Sequence, residues 1–265
     1  NKKQINFCLN YYTPFKYDKP VKNSGKCEYV FSTSKLSSEM VSKTTKISLR
    51  NFYELGFPRH DSLFKKRITK EMILEKTFPK KTNTSKLIIY TPTHRDYHRG
   101  KKNIFGSDCS GDKIDYLLNK HNTLMIVKLH CNDIKVGTKE KYNNIVVHEP
   151  NEQYSLYDLL SCSEMLITDY TSTYFDYLQL NRPVIFYFYD FNEYKNNRGF
   201  MYENILDYCA GPISYNFEEL YKCLYRYLEH GKDNFYKKRK EVNKIFNQHK
   251  KNNTKRILDF IDSRI

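Results

Sequence analysis

Residues Leu166 to Asp190, LITDYTSTYFDYLQLNRPVIFYFYD, restrict the possible folds more than any other stretch of the chain. They read as a buried strand, a turn carrying Asp169 and three hydroxyl residues, an amphipathic helix, an Asn-Arg-Pro break and a second buried strand. Joining two parallel strands takes about a dozen or more residues, which Tyr170 to Arg182 supplies. The stretch is therefore a βαβ unit. In an open α/β sheet, the ligand crevice is expected at the carboxyl end of its first strand.

The chain around this unit has two rhythms. Residues 1–75 hold three short candidate strands, in INFCL (5–9), CEYVFSTS (27–34) and KISLRNFYELGF (46–57), with one helix over 35–43, which is too little for a whole Rossmann-like half. Gly56-Phe57-Pro58-Arg59 breaks the chain, and the charged stretch 65–81 reads as a short helix and a linker. From Lys86 the pattern alternates regularly: strands over 87–93, 123–130, 144–150 and 164–170, helices over 113–121 and 156–161, then the opening unit. This predicts a parallel, doubly wound sheet. Beyond it come a loop over 192–204, a short strand near Gly211-Pro212-Ile213, helix Phe217–His230, and basic helix from Asn234 broken near Asn252-Asn253.

Composition narrows the partners. Forty-five Lys and Arg against 30 Asp and Glu give a net charge of +15, which suits a phosphate-bearing substrate, nucleic acid or membrane headgroups, and equally a solvated basic surface. No run approaches the roughly 18 apolar residues of a membrane span, and no apolar signal segment opens the chain. The chain starts at Asn1, without an initiating Met, so a fragment of a longer protein is expected. Seven scattered cysteines without a CxxC pair fit reduced cytosolic thiols. GxGxxG, GxxxxGKS, HExxH, GxSxG and Asp-x-Asp are all absent, which removes support for dinucleotide oxidoreductases, P-loop NTPases, zincins, serine hydrolases and a metal-clamped diphosphate. The 24 Tyr and 17 Phe lie mostly in apolar segments, so no nucleic-acid partner is expected.

The candidate site lies at the carboxyl edge of the sheet. Thr171, Ser172 and Thr173, at the start of a helix, present hydroxyls and free N–H groups to a phosphate; ordinary N-capping by Thr171 or Ser172 is compatible with this. Asp169 is open to two roles, general base or polyol ligand on one side and holding the turn through backbone N–H groups on the other. His130 ends the strand KLH and suits phosphate donation or acid–base work. His94 and Arg95, in the loop through Gly100, and Arg198 before Gly199 add groups suited to bidentate phosphate contacts.

With those residues in place, ITDYTSTYFDYLQLNRPVIFYFYDFNEY, followed by RGF and GPI, strongly resembles the CDP-glycerol glycerophosphotransferase family: teichoic acid polymerases, primases and capsule-polymer relatives. GFPRHDSLF (56–64), YTPTHRDY (90–97) and VKLH (127–130) resemble its shorter motifs in the same order. The resemblance implies an α/β, GT-B-like fold. Residues 1–75 would be part of an acceptor-side Rossmann-like domain, 76–243 a complete donor-nucleotide domain, and 244–265 a helix crossing back. It also implies a CDP-linked polyol donor, a polymer or lipid-linked acceptor, a peripheral place on the cytoplasmic face against anionic membrane, and no metal or other cofactor. His130 matches the family's second histidine near the donor phosphates, Thr171 and Ser172 the serine pair on the diphosphate, and Arg198 the Arg of RGF. Tyr11 stands where the family's first histidine lies, in NYYTPFK. A phenol's usual pKa of about 10 makes it a poor base. That leaves a subgroup with another base, a different acceptor chemistry, or an inactive relative. Outside the family, the alternatives are a GT-B glycosyltransferase using a nucleotide sugar and a non-catalytic basic module binding anionic lipid or polymer.

Overall fold

The structure, a computed structural model, describes residues 7–8, 28–65, 68–81, 83–95, 110–129, 142–148, 154–202 and 204–264. The apolar runs after Lys86 become strands β4 (Lys86–Thr91), β5 (Thr123–Val127), β6 (Ile145–Val147), β7 (Met165–Thr168), β8 (Val184–Tyr187) and β9 (Ile213–Ser214). All pair in parallel in the order β6-β5-β4-β7-β8-β9. The chain thus winds outward from β4 and then returns to β4's other side. That reversal puts the topological switch point, where α/β sheets bind ligands, between β4 and β7.

Alternate residues of each strand face opposite layers, as the pleat requires. Leu87, Ile89, Leu166 and Phe186 share one core with Leu159, Leu160, Tyr174 and Tyr177, from helices α5 (Leu156–Cys162) and α6 (Thr173–Tyr177). Ile88, Tyr90, Ile167 and Tyr187 share the other with Ile114, Leu117, Leu220 and Leu224, from α4 (Ser110–Lys120) and α8 (Phe217–His230). These side chains are essentially inaccessible, and each contributes about 1.5–3 kcal/mol by leaving water. Helices on both faces of a wholly parallel sheet make this unit α/β, doubly wound, as its alternating pattern predicts.

Strands β1 (Phe7–Cys8), β2 (Tyr29–Phe31) and β3 (Phe52–Tyr53) form a second, three-stranded parallel sheet beside helix α1 (Lys35–Thr45). The break expected at Gly56-Pro58 is real at Gly56, whose φ is +82°, but Pro58 then opens helix α2 (Pro58–Ser62). A proline at the first helical position costs no hydrogen bond. Leu63, together with Ile73 and Leu74 of α3 (Lys70–Thr77), packs into the large sheet's core, and Leu36 and Met40 of α1 pack against it from the small-sheet side. The loop expected over 192–204 contains helix α7 (Phe191–Asn197).

The basic tail forms α9 (Tyr236–Phe246) and α10 (Asn253–Asp262). Val242 and Phe246 of α9 join the large core, and Gln248 donates its N–H to Thr33 O at 2.9 Å. Phe260 of α10 packs on the small sheet, with ring centres 4.5 Å from Tyr53 and 5.6 Å from Tyr29. Among the described residues no helix is long and apolar enough to cross a membrane.

Candidate functional site

At the switch point β4 and β7 end side by side in threonines, with Thr91 and Thr168 joined by a hydroxyl–hydroxyl hydrogen bond of 3.0 Å. The chain then turns, and Asp169 points inward. Its carboxylate accepts the Thr93 N–H at 3.0 Å on each oxygen, the Thr93 hydroxyl at 2.6 Å and Arg95 Nη1 at 2.7 Å. Arg95, only 7% exposed, forks onto Asp190 through Nε at 2.7 Å and Nη2 at 3.0 Å, and also donates to the Thr93 carbonyl. Its guanidinium lies 5.2 Å from the ring centres of Tyr170 and Tyr194 and 5.4 Å from that of Tyr189. Burial works against this charge, yet Asp169 and Asp190 hold it well above arginine's ordinary pKa. Burial, with Asp190 and Asp169 beside it, likewise pushes the Tyr170 phenol far up, and its hydroxyl donates to Asp190 at 3.2 Å.

Of the two roles open to Asp169, the contacts are those of the second: its oxygens fasten the β4 loop to the β7 turn. Arg95 is no surface phosphate clamp, because a buried guanidinium between two carboxylates and a backbone carbonyl has little left to offer. The sequence showed Asp190 and Tyr194 only as part of an apolar run and a loop. The spacing of Phe191, Tyr194 and Arg198, on one side of a helix at i, i+3 and i+7, was the available signal.

The hydroxyl turn is different. Thr171 donates its hydroxyl to Thr173 Oγ1 at 3.1 Å and accepts the Thr173 N–H at 3.3 Å, so Thr171 performs the capping. Ser172 occupies the cap position of α6 but makes no side-chain cap bond. Half-buried, its hydroxyl has no partner among the described residues. Helix α6 is five residues long and runs on into a 3₁₀ turn, Leu178–Leu180, so a macrodipole adds little here. Arg198, at the end of α7, donates to the His94 carbonyl at 3.4 Å. The β4 loop, the β7 turn and the α7 end therefore meet at one edge. His130, Tyr11 and the loop residues 96–100 lie outside the described residues.

Residues 9–263 match the model of the CDP-Glycerol:Poly(glycerophosphate) glycerophosphotransferase family. The chain belongs to this family. It is 30% identical over 212 residues to a teichoic acid poly(glycerol phosphate) polymerase of Bacillus spizizenii, covering 78% of this chain and 52% of that protein. It is 31% identical over 162 residues to a teichoic acid ribitol-phosphate primase of the same species, covering 60% of this chain and 40% of that protein. The chain thus spans about half the length of these relatives, or less. Among solved structures it resembles the wall teichoic acid polymerase TagF, at 25% identity and a TM-score of 0.69 over 92% of this chain and 59% of that one. In this chain ITDYTSTYFDY forms the switch-point turn, and Arg198 of RGF, at the end of α7, reaches the His94 carbonyl.

Proposed function

We propose that the protein transfers a glycerol- or ribitol-phosphate unit from a CDP-linked donor to a hydroxyl of a cell-wall or capsular polymer, releasing CMP. The observation that carries this is the Ser172 hydroxyl, unpartnered among the described residues, on the switch-point turn of a chain in this family. The acceptor hydroxyl oxygen attacks the β-phosphorus and gives its proton to a base, the bond from that phosphorus to the bridging oxygen breaks, and CMP leaves with that bond's electron pair as the negative charge. Ser172 and Arg198 meet that charge, in the manner of preorganised donors aimed at a developing anion. No metal takes part. In this reading His130 acts as acid or base beside the donor phosphates. The net charge of +15 suits a peripheral place on the cytoplasmic face, against anionic lipid and a lipid-linked or polymeric acceptor.

The test is CMP release from CDP-glycerol or CDP-ribitol with a teichoic acid primer. Ser172→Ala is expected to lower kcat/KM about 10²-fold, the usual cost of one such donor. Its melting temperature is expected to stay put, and EDTA to change nothing. Donor at a hundred times its Kd adds about 2.7 kcal/mol of stability, which a thermal shift reads. If neither donor is turned over and cytidine nucleotides leave the melting temperature unmoved, the proposal is wrong. Binding to anionic vesicles that fades steeply with salt, with no nucleotide preference, would instead mark a basic docking module.

A further inference from the structure

Three residues after the hydroxyl turn, α6 carries Asp176, and its surroundings are unlike those of a surface carboxylate. It is 4% exposed, and four donors converge on it. Oδ1 accepts from His60 Nε2 at 2.6 Å and Arg59 Nη2 at 3.3 Å; Oδ2 accepts from the Tyr157 hydroxyl at 2.5 Å and Arg59 Nε at 3.0 Å. A carboxylate has about four lone-pair sites, and all are taken.

Three of the four donors belong to Arg59 and His60 in GFPRHD, residues 56–61, which joins the two sheets; the fourth, the Tyr157 hydroxyl, comes from α5. His60 is completely buried, and its Nδ1 meets Gln179 Nε2 at 2.8 Å. The same Gln179 nitrogen donates to the His249 carbonyl at 3.1 Å, which fixes the amide's orientation, since the opposite one would set oxygen against oxygen. Gln179 therefore donates to Nδ1, and His60 carries its proton on Nε2, aimed at Asp176. On its other side the segment holds the small-sheet half: Gly56 donates its N–H to Ser32 O at 2.9 Å, and Asp61 caps α10, accepting the Asn253 N–H at 3.0 Å and the Thr254 N–H at 2.8 Å.

We infer that Arg59, His60 and Asp176 are positioning residues for transfer: they fasten the Thr171–Thr173 turn to the half of the molecule that carries the small sheet, and so set the donor phosphates against the acceptor. This rests on the function proposed above. None of the three touches substrate; each acts through the placement of α6.

Asp176→Asn keeps the volume but loses the charge and an acceptor. Its kcat is expected to fall at least tenfold per folded molecule while KM for the CDP-linked donor changes less than threefold. His60→Gln, whose Nε2 can replace the imidazole N–H, is expected to keep most of kcat; His60→Ala is not. Lys113→Ala, which breaks an exposed pair with Glu218, serves as the control and changes neither. Amide hydrogen exchange of the same proteins decides the coupling whether or not CMP is released. In Asp176→Asn, protection should fall in both 57–61 and 171–180, two segments far apart in sequence. If exchange in 57–61 stays as in the wild type, the inference is wrong. It is also wrong if Asp176→Asn keeps wild-type kcat, or if His60→Gln is no better than His60→Ala. If the wild type itself releases no CMP, the proposed reaction fails while the exchange result still decides the coupling.

Discussion

Arg95 separates a scaffold from a ligand contact most sharply, and Arg95→Met is the substitution that asks the question. Methionine fills much of the same volume but leaves Asp169 and Asp190, 3% and 7% exposed, without their shared cation. Asp169 keeps three bonds from Thr93 and Asp190 keeps the Tyr170 hydroxyl, so neither is stripped of all hydrogen bonding. Removing one partner of a buried ion pair nevertheless costs about 3–5 kcal/mol, because the charge left behind stays desolvated. For a chain of this size, roughly 2–4 °C per kcal/mol puts the loss in melting temperature at about 6–20 °C. Scanning calorimetry, with urea unfolding as a cross-check, measures it. Asp190→Asn in the same background should recover part of the loss, since it removes one of the stranded charges. A melting temperature within about 2 °C of the wild type, together with a tenfold or greater loss of donor affinity, would refute the reasoning and return Arg95 to the ligand.

The junction between the halves yields two further expectations. Burial alone would raise the pKa of both Asp176 and Asp61, but Arg59 and His60 hold Asp176, and the Thr254 and Asn253 groups hold Asp61, below the usual carboxylate range. A lowered folded-state pKa contributes stability that is full above the unfolded value near 4 and lost as pH falls through the folded one. The Asp61→Asn deficit in melting temperature should therefore be constant from pH 7 to about 5 and shrink below about 4; a deficit that grows on acidification would contradict this. Gly56→Ala combines a φ of +82° with a Cβ placed 2.2 Å from Asn253 Oδ1. It should cost about 1–3 kcal/mol and loosen α10, seen as faster proteolytic trimming of the C-terminus, while Gly231→Ala, which shares a positive φ but meets nothing within 4 Å, should leave trimming unchanged.

Much of the architecture could be read from residue order because its causes are local. Continuous apolar runs of four to six residues, β-rich and bounded by turn signals, suit strands buried on both faces, and the unit from Leu166 to Asp190 formed β7, a short crossover and β8 as patterned. Helix Phe217–His230 matched to the residue, with Asn216 accepting the Glu219 N–H at 3.0 Å before it and Gly231 at φ +60° after it. Helix α7 had a local signal in the spacing of Phe191, Tyr194 and Arg198, but that Tyr194 stacks on Tyr170, their rings 3.9 Å apart, is decided only by the fold.

At the site the division follows the range of the forces. That hydroxyls and N–H groups sit at the carboxyl end of β7 follows from strand direction, which a run of residues encodes. Which carboxylates meet which cations depends on strand order, and only the parallel sheet brings Arg95 between Asp169 and Asp190, residues 74 and 95 positions away. Burial then makes Arg95 part of a fastening with Asp169 and Asp190, because a buried charge must be neutralised by whatever neighbours the fold supplies. The same holds for Asp176 and His60, 116 positions apart: an ordinary helix carboxylate and a loop histidine in the sequence, and a buried junction between the two sheets once the chain has folded.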